Sequence, residues 1–255
     1  GLVDVAEVKK AITSRTILIT IMHANNEVGT IQPIEELAQL AKENGIIIHT
    51  DAAQSTGKIP VEVDRLGVDL LSIAGHKLYA PKGIGALYIR RGIELEKFMH
   101  GAGHEQGRRA GTENVLEIVG LGQACEIAER DLAKNRQHMK EMRDRLYNGL
   151  NEKLHNMRLN GHPELRLPNT LSASFFNMDA GDLLAGIVDQ VAVSAGAACH
   201  SGQVNISSVL QAMAVPLEWA RGTVRFSTGR FTTAEEIDKA IDIVVGAVMK
   251  QKQYA

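Results

Sequence analysis

At 255 residues the chain can bury a sizeable core, as one large domain or two smaller ones. A formal charge of −2 gives no electrostatic case for nucleic acid or an anionic membrane, and no apolar run reaches the length of a membrane span. Two cysteines, Cys125 and Cys199, are too few for a disulfide framework and suit a reducing, cytoplasmic setting.

The first part of the chain alternates strands and helices. Residues 17–22 read as a buried strand, and Pro33 opens a helix carrying Ile34, Leu37, Leu40 and Ala41 on one face, ended by Gly45. Residues 46–48 form the next strand and deliver Asp51 at its carboxyl end; residues 68–73 form a third and deliver Lys77; residues 83–90 form a fourth. The alternation predicts an α/β fold with a mainly parallel sheet. Ligands of such sheets sit beyond the carboxyl ends of the strands, where Asp51 and Lys77 fall. From Glu113 to about Leu154 the pattern is helical with a charge-rich, solvated middle. This helix is expected to join a large domain, residues 1–130, to a smaller α/β domain, residues 131–255. The smaller domain is expected to hold strands at 170–176, 191–194 and 223–227 and a helix at 182–190. Its last helix is announced by the capping box Thr233-Ala234-Glu235-Glu236 and striped with Ile237, Ile241, Val244, Val245 and Val248.

The chemistry concentrates in two places. Ser72-Ile73-Ala74-Gly75-His76-Lys77 puts an amine in a Gly-flanked turn directly after a strand, and His49-Thr50-Asp51-Ala52-Ala53-Gln54 puts a carboxylate at the end of another. An amine for a Schiff base and an acid for a pyridinium nitrogen are the set that holds pyridoxal phosphate. Cys199 follows the small-residue run Ser194 to Ala198 and precedes His200-Ser201-Gly202-Gln203, a stretch that suits a mobile loop better than a core. Adjacent His200 is a candidate for lowering the thiol pKa. Cys125, between Ala124 and Ile127 on an apolar helix, reads as a buried, inert thiol. The histidines of His100-Gly101-Ala102-Gly103-His104-Glu105 lie among glycines, and Arg108 stands where a zinc motif needs its second histidine; no metal is expected. Gly83-Ile84-Gly85 is too short for a dinucleotide fingerprint.

The runs Met22-His23-Ala24-Asn25-Asn26-Glu27-Val28-Gly29, His49 to Gln54, Gly75-His76-Lys77, Gly103-His104-Glu105, Arg109-Ala110-Gly111-Thr112, Ser194 to Cys199, and Arg225-Phe226-Ser227-Thr228-Gly229-Arg230 resemble, in order, the NifS/IscS group of cysteine desulfurases, class-V aminotransferase-like enzymes close to the selenocysteine lyases. The resemblance implies a fold-type-I pyridoxal-phosphate enzyme that converts L-cysteine to alanine and leaves a persulfide on Cys199. It implies Lys77 as the Schiff-base lysine, Asp51 at the pyridinium nitrogen, Gln54 at the phenolic oxygen and His76 at the phosphate. Asn26 and Arg225 would hold the substrate carboxylate, with Asn26 also at the cofactor, and Thr112 would reach across a homodimer interface to the partner's phosphate. It further implies sulfur delivery to an acceptor or iron–sulfur scaffold protein. Ala74 replaces a phosphate-binding serine of many desulfurases, and with Ala197-Ala198-Cys199-His200-Ser201 it leans toward the selenocysteine lyases, which take L-selenocysteine. Gly1-Leu2-Val3-Asp4 resembles a segment well inside the family's large domain, so an N-terminal portion is expected to be missing or supplied by a separate chain. Two other readings are an inactive remnant serving as an interaction module and an aminotransferase that needs no cysteine.

Overall fold

Two compact units divide the chain, one formed by Val3–His23 with Gln32–Leu132, the other by Gly1–Leu2, Ala24–Ile31 and Ala133–Ala255. The structure is a computed structural model; it describes residues 1–200 and 203–253, with the backbone alone for 197–200, 203–205 and 252–253.

The first unit contains α1 (Val5–Ala11), β1 (Leu18–Met22), α2 (Ile34–Glu43), β2 (Ile47–Asp51), α3 (Val63–Leu66), β3 (Leu70–Ala74), β4 (Gly85–Ile89) and α4 (Val115–Arg130). Its sheet runs β1-β2-β3-β4. The first three strands are parallel, as the alternation predicts. The fourth is antiparallel to β3, because its short connection cannot make a parallel crossover. Ile34, Leu37, Ile48, Val68 and Leu71 form the core between α2 and the sheet, each fully buried side chain contributing about 1.5–3 kcal/mol. The first strand departs from the buried reading: Ile17 is 80% exposed and Leu18 45%, because β1 is a sheet edge with one neighbour only.

The second unit contains α5 (Leu132–Lys153), β5 (Met157–Leu159), β6 (Thr170–Phe175), α6 (Ala180–Ile187), β7 (Ser194–Ala195), β8 (Ala197–His200), β9 (Gln203–Ile206), α7 (Ser208–Ala212), α8 (Leu217–Ala220), β10 (Thr223–Ser227) and α9 (Ala234–Gln253). An antiparallel sheet β5-β6-β10-β7 packs Leu171, Phe175, Val224 and Phe226 against Leu150 and Val244 of the long helices. The capping box closes reciprocally: the Glu236 amide donates to Thr233 Oγ1 at 3.2 Å and the Thr233 amide to Glu236 Oε2 at 2.8 Å.

Further expectations change. The single helix over 113–154 is two, interrupted at Asp131, whose backbone leaves the helical region at φ −103°, ψ 9°; Arg130 grips that carboxylate through Nε and Nη2 at 3.0 and 2.8 Å. The helix expected at 182–190 starts earlier, because Asp179 Oδ1 accepts from the amides of Gly181 and Asp182 at 2.8 and 3.3 Å and so caps the free N–H groups. The loop expected around Cys199 is paired backbone: β8 and β9 are antiparallel, with Cys199 opposite Val204. Ser201 and Gly202 lie outside the described residues, as do the side chains of Cys199 and His200.

Candidate active site

Strands β2 and β3 are parallel neighbours with Asp51 opposite Ser72, so their carboxyl ends emerge together. Asp51 is the last residue of β2. Its Oδ1 accepts from the Ala53 amide at 2.8 Å, an Asx turn that fixes the carboxylate, while no described residue donates to Oδ2. After β3 the chain enters a 3-10 turn, Gly75–Leu78. The Gly75 amide donates to the Ile84 carbonyl at 2.9 Å. A Cβ on Gly75 would lie 2.8 Å from that carbonyl oxygen, so only glycine permits this approach. Leu78, 5% exposed, buries against Leu121 and Ala124 of α4, and this anchors the turn from behind. Lys77 is half-buried and His76 exposed. Neither side chain, nor the amide of Gln54, has a hydrogen-bond partner among the described residues.

A second amine stands beside Lys77 that the sequence did not flag. Gly57 takes φ +75°, and a Cβ there would meet Leu78 Cδ2 at 2.6 Å, so the turn bearing Lys58 presses on the turn bearing Lys77. Burial, and second the charge of Lys77, push the Lys58 amine down to about 8. The signal for it was the tight Gly57-Lys58 turn between Asp51 and α3. Beneath this edge, His49 joins the three parallel strands: Nδ1 meets Thr20 Oγ1 at 2.7 Å and Nε2 meets Ser72 Oγ at 2.8 Å. Burial lowers its pKa, with Asp51 opposing. Burial likewise lowers that of His23, with Glu35 opposing; its Nδ1 pairs with Ser55 Oγ at 2.9 Å.

Thr112 is not part of this group. It is exposed and lines a groove of about 600 Å³ with Leu87, Arg108, Arg109 and Ile118, to which Asp51, Gln54, His76 and Lys77 contribute nothing. Cys125 is half-buried rather than buried, and desolvation raises its thiol pKa, the opposite of what activates a nucleophile.

The other candidates belong to the second unit. Arg225, on β10, donates through Nη1 to the main-chain carbonyl of Asn26 at 3.0 Å and through Nη2 to Ser194 Oγ at 3.0 Å. Asn26 therefore contributes its carbonyl here, and its side-chain amide has no partner among the described residues. The segment holding it is a closed turn: Asn25 Oδ1 accepts from the amides of Glu27 and Val28 at 2.8 and 2.9 Å, and the Asn25 amide donates to the Thr30 carbonyl at 2.9 Å. Arg225 is half-buried with the rest of its planar fork unengaged among the described residues, and such a fork suits a carboxylate. Ser194, opposite Arg225 in the β10–β7 pairing, lay within the motif around Cys199 but had no role from sequence alone.

The first unit thus offers a carboxylate, an amide, an imidazole and an amine, the donor set that suits pyridoxal phosphate. Comparison with known proteins agrees. The family model described as aminotransferase class-V matches residues 1–240. Cysteine desulfurase IscS of Dictyoglomus turgidum is 45% identical over 98% of this chain and 64% of its own length. The IscS of Mannheimia succiniciproducens is 47% identical over 100% of this chain and 63% of its own. The chain thus spans less than two thirds of the length of these curated relatives. A solved NifS-like protein superposes with a TM-score of 0.89 at 36% identity, covering 98% of this chain and 66% of that one.

Proposed function

The chain belongs to the aminotransferase class-V family, and from that premise we propose that it serves a pyridoxal-phosphate-dependent cysteine desulfurase, converting L-cysteine to L-alanine and passing the sulfur to Cys199 as a persulfide. The observation that carries this reading is the Lys77 amine, without a hydrogen-bond partner among the described residues and carried by the Gly75 turn at the end of β3, the neighbour of the strand that ends at Asp51.

When bound, pyridoxal phosphate supplies an electron sink that stabilises negative charge at the substrate α-carbon. Lys77 would hold the cofactor through its amine and would carry the substrate α-proton. Asp51 would accept the pyridinium N–H, Gln54 would donate to the phenolic oxygen, and His76 would bind the phosphate, where Ala74 provides no hydroxyl. Arg225 clamps the substrate carboxylate with Asn26. The Cys199 thiolate attacks the substrate sulfur, the carbon–sulfur bond breaks, and the electron pair returns to the product carbon, which is protonated to alanine. The new S–S bond splits one difficult transfer into two easier steps.

Residues 1–130 are read as the cofactor-binding domain and 131–255 as the domain carrying Cys199. The partners of this reading are L-cysteine, a sulfur-acceptor or iron–sulfur scaffold protein, and a second copy of the chain in a cytoplasmic homodimer with Thr112 at the partner's phosphate. The relatives reported above carry the desulfurase name, so selenocysteine lyase is not favoured. An aminotransferase would keep its activity in Cys199→Ala; a desulfurase would not.

The test is titration of the chain with pyridoxal phosphate, followed by borohydride reduction and peptide mapping. The reading expects a visible band and a reduced adduct on the Lys77 peptide, both absent in Lys77→Ala. An adduct spread over surface lysines, unchanged in Lys77→Ala, would overturn it.

A further inference from the structure

The strands bearing Cys199 are closed at their base by the chain itself: the Ser207 amide donates to the Gly196 carbonyl at 3.3 Å. On each side of this base is a serine whose side chain leads to the same turn. Ser194 Oγ accepts from Arg225, which also donates to the Asn26 carbonyl. Ser207 Oγ donates to Glu27 Oε2. The direction of this last bond follows from the rest of the hydroxyl's partners. Ser207 Oγ accepts from the amides of Val209 and Leu210 at 3.1 and 3.4 Å as the N-cap of α7, so its single proton is left for the carboxylate. Asn26 and Glu27 are adjacent at the tip of the turn that Asn25 locks.

We propose that Glu27 and Ser194 are positioning residues, fastening the base of the Cys199 strand pair on both of its sides to the turn at Asn26–Glu27. The arrangement makes one rigid element the reference for both the carboxylate clamp and the nucleophile carrier. Arg225 is oriented by Asn26 and Ser194, and the β9 side of the base is oriented by Glu27 through Ser207. A reacting thiolate must come within a narrow range of distance and angle to its target, and small misplacements are costly. Linking both groups to one turn restricts that error. The catalytic consequence rests on the desulfurase reading; the tether itself does not.

The test is hydrogen exchange of the chain, read by peptide, in Glu27→Ala, Ser207→Thr and Glu27→Gln, with α9 and β6 as internal references. In Glu27→Ala the amides of β8 and β9 are expected to exchange about tenfold faster, as loss of a charge-assisted bond would allow, with α9 and β6 unchanged. Glu27→Gln keeps an acceptor oxygen, and Ser207→Thr keeps the hydroxyl, so both are expected to restore most of the protection. Unchanged exchange in β8 and β9, or an equal rise in the reference elements, would overturn the tether. Steady-state turnover then separates the two claims. Ser194→Ala is expected to raise KM for L-cysteine through a loosened Arg225, and Glu27→Ala to lower kcat with KM kept. A chain that shows the exchange pattern yet still forms alanine as Cys199→Ala would retain the tether and lose the desulfurase reading.

Discussion

The two groups of candidate residues are built in opposite ways. At the carboxyl edge of β2 and β3, the backbone is fixed while the reactive side chains are left open: Gly75 and Leu78 lock the turn, yet Lys77, His76 and Gln54 have no partners among the described residues. Around Arg225 the side chains themselves are bound, to Asn26, Ser194, Glu27 and Ser207. A half-buried amine with no protein partner among the described residues is left free to take a ligand. A guanidinium already held in place implies a ligand that arrives to a preorganised clamp.

Breaking the open group should cost most. Lys77→Ala is expected to abolish covalent cofactor attachment and reduce alanine formation by roughly 10²–10⁴-fold or more, the scale of losing an acid–base group, checked by steady-state assay. Breaking the bound group should cost less. Arg225→Ala is expected to weaken substrate binding by about 10–100-fold, as charge-assisted hydrogen bonds of 1.5–3 kcal/mol predict, and Arg225→Lys should not restore it because an ammonium lacks the fork; KM measurements decide. Gly75→Ala attacks the frame of the open group: its Cβ meets a backbone oxygen at 2.8 Å. It is expected to lower stability by about 1–3 kcal/mol, the usual cost of overpacking, read by denaturant unfolding, with weaker cofactor attachment.

The smallest effect is a pH dependence. Burial lowers the folded-state pKa of His23 below its ordinary 6.5, so the unfolded chain binds more protons in the window between the two values. Stability is therefore full above about pH 6.5 and falls as pH drops toward the folded pKa. His23→Gln is expected to flatten that fall in unfolding experiments between pH 7.5 and 5; an unchanged slope would remove His23 as its source.

Much of this was legible locally. The Ile46–Ile48 run and the apolar face of α2 announce strand and helix because burial and periodicity coincide there, and the capping box at Thr233 announces α9 through two reciprocal bonds. The break at Asp131 was not legible, since the charged helical pattern continues through it and the interruption rests on the conformation of one residue. Nor was the β8–β9 pairing, because the small residues of Ala197–His200 carry no strand periodicity and the alternating Gln203–Ile206 is only four residues long. Lys77 and Asp51 stood out because their setting is written in adjacent residues. The Ser207–Glu27 bond joins residues 180 positions apart, and no local pattern encodes it.

Whether Cys199 receives the sulfur is read by mass spectrometry of its peptide after incubation of the cofactor-loaded chain with L-cysteine. One added sulfur atom is expected on Cys199, none on Cys125, with alanine formed in step with it. Cofactor bound to Lys77 and alanine released with Cys199 never modified would contradict that transfer.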